Sequence, residues 1–218
     1  EAAPAAAGEA SARREAAPGA QPATEELRLA RQGQQGAGGM DPSGTAQGAR
    51  VEAEAEVSDL RADPALVAAS YDAHCHAHLD DTHEGVAAME SLFERVSGVA
   101  LMSTGEGDWD RIQAAAAKAR AGGSAGSVRC LLGVHPWFAH RYAGEGDGWL
   151  EDLRARLVGT PGACIGEIGL DKQWVTPDTG RVEYDAQLEV FKAQLELAAE
   201  LRLPVSVHCV RAQGDLQA

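Results

Sequence analysis

The sequence predicts an α/β domain, a partial (β/α)8 TIM barrel with about five of its eight strand–helix units, preceded by a disordered tail. Three observations lead there. Between Tyr71 and Val210, short apolar or β-branched runs alternate with longer segments of helical periodicity, the pattern of a parallel sheet with right-handed crossovers. The steps are regular: Asp72 to His208 covers four of them at about 34 residues each, near the roughly 31 of a complete barrel. Residues 1–70 differ in texture. They hold no aromatic residue and no lysine, and stretches such as QGQQGAGGMDPSGTAQGAR follow neither strand nor helix period. Such a segment buries too little apolar area to offset its ordering entropy. An open doubly wound sheet has a similar spacing, so spacing alone leaves both architectures standing.

The elements follow in order. YDAHCH (71–76) reads as the first strand, with HEGVAAMESLFERV as its helix. VSGVALMST (96–104) is the second, followed by DWDRIQAAAAKARAGG, where Gly122 and Gly123 end the helix. SVRCLLGVHP (127–136) is the third. Its helix, GWLEDLRARLVG, starts at Asp147 and Gly148. GACIGEIGLD (162–171) is the fourth, and LPVSVHCV (203–210) the fifth. In the helix between them, Leu188, Phe191, Leu195 and Ala198 form one apolar stripe.

Composition narrows the function. The chain of 218 residues has a net charge of −14, which argues against wide electrostatic capture of nucleic acid. A phosphate-bearing substrate would need metal ions or a local cluster to hold it. No run of about 18 apolar residues is present, so no membrane span is expected. The four cysteines form no Cys-x-x-Cys pair and lie in apolar runs, as reduced buried thiols of an intracellular protein do. Cytoplasm or nucleus fits. An organellar leader stays open, although such leaders are poor in acidic residues and this segment is not. A monomer is expected.

Chemistry gathers at the strand ends. If 71–79 continues as a strand, Asp72, His74, His76 and His78 share one face, opposite Tyr71, Ala73, Cys75, Ala77 and Leu79. His-x-His on a strand aims two imidazoles at one point, which suits a transition-metal ion. The third run ends with His135, the fourth carries Glu167 between glycines, and the fifth carries His208 with Arg211 just beyond. In parallel α/β folds that edge is where active sites are built.

DAHCH, GVHPWF, GEIGLD and the QLEVFKAQL…LPVSVHCVR stretch, in this order, resemble the TatD family of metal-dependent deoxyribonucleases, a branch of the amidohydrolase-like barrels. STGEGDWD resembles its eukaryotic members. The resemblance covers residues 71–218 and implies metal-assisted hydrolysis of DNA phosphodiester bonds, often from the 3′ end, with two divalent ions (Mg, Mn or Zn). It makes His74 and His76 ligands of the first ion, Glu167 a bridging and catalytic carboxylate, and His208 a ligand of the second. His135 falls on the substrate side, and Arg211 becomes a phosphate contact. DNA would then be held through the bound metals.

Two departures stand against this. HCHAHLD also aligns with His76 and His78 as the metal pair; Asp72 favours His74 and His76 through the Asp-x-His-x-His pattern. The family also has a later ligand His and an Asp with no counterpart before Ala218, so the chain is expected to be C-terminally truncated and impaired. The rival readings are an amidohydrolase acting on C–N or C–O bonds, and an inactive fragment. GEIGLD disfavours the first, and Lys172 is misplaced to bridge metals in place of Glu167.

Overall fold

A computed structural model of the chain describes residues 64–80, 82–122 and 127–217. The expected disorder of residues 1–63 lies outside them. Within the segment read as tail, Pro64–Ala69 form a short helix, α1, and Val67 packs against the core. Ser70 follows, its carbonyl accepting from both the backbone N–H and the hydroxyl of Ser97 (2.8 and 2.7 Å). The ordered domain therefore starts several residues before Tyr71.

Five strands follow: β1 Tyr71–Cys75, β2 Gly98–Met102, β3 Ser127–Leu132, β4 Cys164–Asp171 and β5 Val205–Val210. Between them run α2 His83–Arg95, α3 Glu106–Ala121, α4 Gly148–Gly159 and α5 Tyr184–Leu201. All four strand pairs are parallel, and the spatial order β1-β2-β3-β4-β5 equals the chain order. This order decides between the two architectures. A doubly wound sheet reverses direction at a switch point, whereas barrel staves are laid down one after another. The result is a half-barrel with helices on its outer face.

Alternation along the strands sorts the side chains. Val99 and Leu101 of β2 and Cys130 and Leu132 of β3 join Trp109, Ile112, Leu153, Leu157, Val190 and Leu197 in the main core. Ala100, Met102, Leu131 and Cys164 face the other way and form a small inner cluster. Helix ends follow the sequence: Thr82 accepts from the Gly85 N–H at the start of α2, and Gly122 closes α3. Asp147 precedes α4 without a side-chain cap bond.

The stripe expected on α5 is rotated. Leu195 is exposed, and the buried set is Gln187, Val190, Phe191, Gln194, Leu197 and Ala198. Two glutamines replace apolar residues because the strand ends beneath offer backbone groups that need partners. Gln194 accepts from the Val134 N–H (2.7 Å) and donates to the Val134 carbonyl (3.2 Å). Gln187 makes the same pair of bonds with Asp171 (2.7 and 3.1 Å).

Candidate metal centre

Strand β1 stops at Cys75, and Ala77–Leu79 form a 3-10 turn. That turn corrects the expected common face of Asp72, His74, His76 and His78. Past the strand end the period of two is lost, and His78 swings away into the protein. It is buried, with Nε2 at 3.0 Å from Asp108 Oδ2. Asp108 also accepts from the N–H and hydroxyl of Thr104, both at 2.8 Å. His74 and His76 are the pair brought to the centre. Their Nε2 atoms lie 3.1 Å apart, and 3.1 and 3.0 Å from Glu167 Oε2.

Glu167 stands in the middle of β4, not at its end, and the whole strand is buried. The pairing of β4 with β5 shifts register between Ile165 and Ile168, so the carboxylate faces the mouth from inside the sheet. The flanking glycines allow the close approach. A Cβ on Gly166 would come within 2.9 Å of Ser206 Cβ, and one on Gly169, at φ 150°, within 2.0 Å of the His208 carbonyl oxygen. Ser103, just past β2, ties the strand ends together: its hydroxyl exchanges bonds with the Gly133 backbone (2.7 and 2.8 Å), and its carbonyl accepts from the Glu167 N–H (3.2 Å).

The second oxygen of Glu167 serves another histidine. His208 Nδ1 is 3.1 Å from Oε1, and His208 Nε2 is 3.0 Å from Asp171 Oδ2. His135 Nε2 is 3.2 Å from His208 Nδ1 and 3.7 Å from Glu167 Oε2. Two groups of potential ligand atoms therefore share one carboxylate: His74, His76 and Glu167, and His135, Glu167 and His208.

Hydrogen bonding assigns the ring protons. His76 Nδ1 lies 2.9 Å from the Met102 carbonyl, which can only accept, so Nδ1 carries the proton. In the neutral ring Nε2 is then a bare lone pair facing a carboxylate oxygen. His208 lies between two carboxylates, Glu167 at Nδ1 and Asp171 at Nε2; in the neutral ring with its proton toward Asp171, bare Nδ1 faces Glu167. Two acceptors at about 3 Å repel unless a cation lies between them. His135 is different. Its Nδ1 accepts from the Trp137 N–H (3.2 Å), which puts the proton of the neutral ring on Nε2.

Without a cation between ring nitrogen and carboxylate, a proton takes that place, and the charge states describe that protonated arrangement. Burial pushes the His135 imidazole down to about 3, so it is neutral. Burial opposes the charge on Glu167, but hydrogen bonds from His208 and His76, with the nearby His135 and His74, outweigh it and hold the carboxyl far below its usual range. Asp171 is held low in the same way, against burial, by Trp137, the Gln173 N–H, His208 and the Trp174 N–H. His208 is raised: burial works against its charge, and its bonds to Glu167 and Asp171 prevail.

Imidazole nitrogens converging on an ionised carboxylate are a donor set for a divalent transition metal, and the two bare nitrogens are oriented as ligands are. Asp171 behind His208 and the Met102 carbonyl behind His76 orient those rings, as outer partners of metal ligands do. Arg211 stays outside this arrangement. It is exposed beyond β5 at φ 54° and makes no hydrogen bond or ion pair among the described residues. Lys172 turns away to Asp215. The sequence reading missed Asp171, Trp137, Ser103, Gln187 and Gln194. All five lie inside quoted runs: Asp171 in GEIGLD, Trp137 in GVHPWF, Ser103 in STGEGDWD, and Gln187 and Gln194 in QLEVFKAQL.

Known proteins resemble this chain over part of its length. The 3'-5' ssDNA/RNA exonuclease TatD of Erwinia billingiae is 42% identical over 78 residues, covering 35% of this chain and 26% of the relative. The uncharacterized metal-dependent hydrolase YabD of Bacillus subtilis is 35% identical over 91 residues, covering 41% of this chain and 32% of the relative. The crystal structure of YJJV, a TatD homolog from Escherichia coli, superposes with a TM-score of 0.54 at 24% identity, over 69% of this chain and 54% of that one. The alignments thus span about a third or less of these curated relatives and about half of the superposed structure. Residues 71–218, which hold every strand among the described residues and both groups of potential ligand atoms, match the model of the family described as TatD related DNase, and the chain belongs to that family.

Proposed function

We propose that this chain carries the metal-binding part of a hydrolase that cleaves phosphodiester bonds of DNA, acting on single strands from the 3′ end, with two divalent ions. One observation supports this above all: His74 and His76 face one oxygen of a buried, ionised carboxylate, and His208 faces the other. In this reading His74, His76 and Glu167 hold one ion, and Glu167 and His208 hold the other. Bound there, the ions supply Lewis acidity toward a phosphoryl oxygen and lower the pKa of a coordinated water.

The remaining groups act on the substrate or on the ligands. Glu167 stays ionised and presents one oxygen to each side. His135 is a donor: its Nε2–H points into the cluster and can reach a phosphoryl oxygen, while Trp137 occupies its Nδ1. Asp171 keeps the His208 proton on Nε2, leaving Nδ1 free to ligate. Arg211, exposed past β5, can meet the next phosphate along the strand. With a net charge of −14, the protein lacks the positive field that DNA binding needs, and bound ions would supply it locally. No helix among the described residues is long and apolar enough to cross a membrane.

The test is elemental analysis of the purified chain, with hydrolysis of a 3′-labelled single-stranded oligonucleotide scored against a panel of amides and lactones. Bound metal with oligonucleotide cleavage that stops on chelation is expected. Cleavage of amides or lactones in preference would replace this reading with the amidohydrolase one, and cleavage of DNA by metal-free protein would end it.

A further inference from the structure

The four tryptophans divide into two kinds. Trp109 is fully buried, and Trp149 packs against the core. Trp137 and Trp174 join neither core cluster. They are partly exposed and stack on each other, centroids 4.0 Å apart and planes 13° from parallel. Trp137 comes from the 3-10 turn Pro136–Arg141 after β3, and Trp174 from the loop between β4 and α5. Two large aromatic rings left out of the core signal a surface made to be covered.

Their position names what covers them. The Trp137 indole N–H donates to Asp171 Oδ2 (2.9 Å), and the Trp174 backbone N–H donates to Asp171 Oδ1 (2.9 Å). The same Asp171 holds His208. One carboxylate thus locks the indole pair to the ligand cluster. Ring centroids of Trp137 lie 4.9 Å from His135 and 6.2 Å from His208, so the stack begins where the cluster ends.

We propose that Trp137 and Trp174 form a stacking platform for an unpaired base of the nucleotide whose phosphate lies at the cluster. The proposal rests on the reading of this site as that of a nucleic-acid hydrolase, and adds how the substrate is held. Stacking needs no positive charge and tolerates any base, which suits an acidic chain acting on single strands. It also selects against duplex, whose bases are already stacked and paired.

The test uses a short labelled single-stranded oligonucleotide with phosphorothioate linkages, which binds with little cleavage. It is titrated by fluorescence anisotropy in Mn2+, with normal 3′-terminal bases or with abasic tetrahydrofuran residues. Hydrolysis of the matching phosphodiester oligonucleotide is scored in parallel. Wild-type protein should prefer the base-bearing strand by about 5-fold or more, the lower end of what one stacked base contributes. Trp174→Ala should abolish most of that preference, and Trp174→Phe, which keeps an aromatic face, should retain it. Trp174 is the position to change because Trp137 also anchors Asp171. Preference without hydrolysis would leave the platform standing and remove the nuclease reading. Hydrolysis with no preference, or a preference that survives Trp174→Ala, would overturn the platform alone. No binding and no hydrolysis would overturn both.

Discussion

Replacing Glu167 by Gln keeps the shape of the side chain and removes its charge. Glu167 Oε2 sits 3.0–3.1 Å from His74 and His76, and Oε1 sits 3.1 Å from His208, so the change weakens a ligand of both ion positions at once. An amide must also turn its NH2 toward one of the two histidine groups, replacing an acceptor with a donor. Loss of metal affinity and of turnover on the order of 100-fold is expected. Stability reads this without any turnover. An ion at 100 times its Kd stabilises the fold by about 2.7 kcal/mol. For an ordered domain of this size that raises Tm by roughly 5–10 °C. With Kd raised 100-fold at the same ion concentration, about 0.4 kcal/mol remains, and the shift shrinks to roughly 1–2 °C. The assay is thermal melting of chelator-stripped wild type and Glu167→Gln, each with and without Mn2+ or Zn2+. An equal metal-induced rise in both proteins would refute the assignment of Glu167 as a shared ligand.

Three further outcomes are expected. Deleting residues 1–63 should leave Tm unchanged, whereas deleting 1–70 removes Val67 from the core and both bonds to the Ser70 carbonyl, and should lower stability by about 1–3 kcal/mol; equal melting of the two truncations would contradict this. Gln194→Leu strands the buried N–H and carbonyl of Val134 and should cost about 2–4 kcal/mol by urea unfolding, with a change below 0.5 kcal/mol counting against the bonds described. Burial pushes the Cys130 thiol from 9.0 up to about 12, so the folded chain keeps that proton while the unfolded chain begins to lose it at pH 9. The unfolded state then binds fewer protons, and stability falls as pH rises from 9 toward 12, by roughly 1.4 kcal/mol per pH unit at most. Cys130→Ala should flatten that slope, and an unchanged slope would reject the cause.

How much of this could be read from the sequence depended on the range of the interaction involved. Strand–helix alternation is local, so all five strands were legible to within a few residues. Spacing could not choose between barrel and open sheet, because that rests on which strand pairs with which; the ordered TatD-like motifs supplied the choice. The converging side chains were legible where chemistry and spacing coincide in a short run, as in His74 and His76 or around Glu167. Even there the run misled. The period of two was carried through His78, but the backbone leaves the strand after Cys75, and Asp108, 30 residues away, provides the better partner for that ring. Leu195 failed for a similar reason. An apolar stripe was assumed to face the core, yet Gln187 and Gln194 take that face because two strand ends beneath α5 have unpaired backbone groups.

Proton placement lies furthest from the sequence and matters most to the chemistry. What would make His76 a ligand rather than a donor in the proposed site is the Met102 carbonyl, on a strand 26 residues away. For His208 the corresponding partner is Asp171, 37 residues before it and held in turn by Trp137 and Trp174. His135 has the same side chain in the same cluster, yet a single backbone N–H from Trp137 reverses its tautomer and turns it from a potential ligand into a donor. Three histidines of equal standing in the sequence thus acquire two different roles, and the difference is carried by partners whose pairing with each ring only the fold sets. A substitution that moves Asp171 or the Met102 carbonyl should therefore change the metal site while leaving every ligand residue in place.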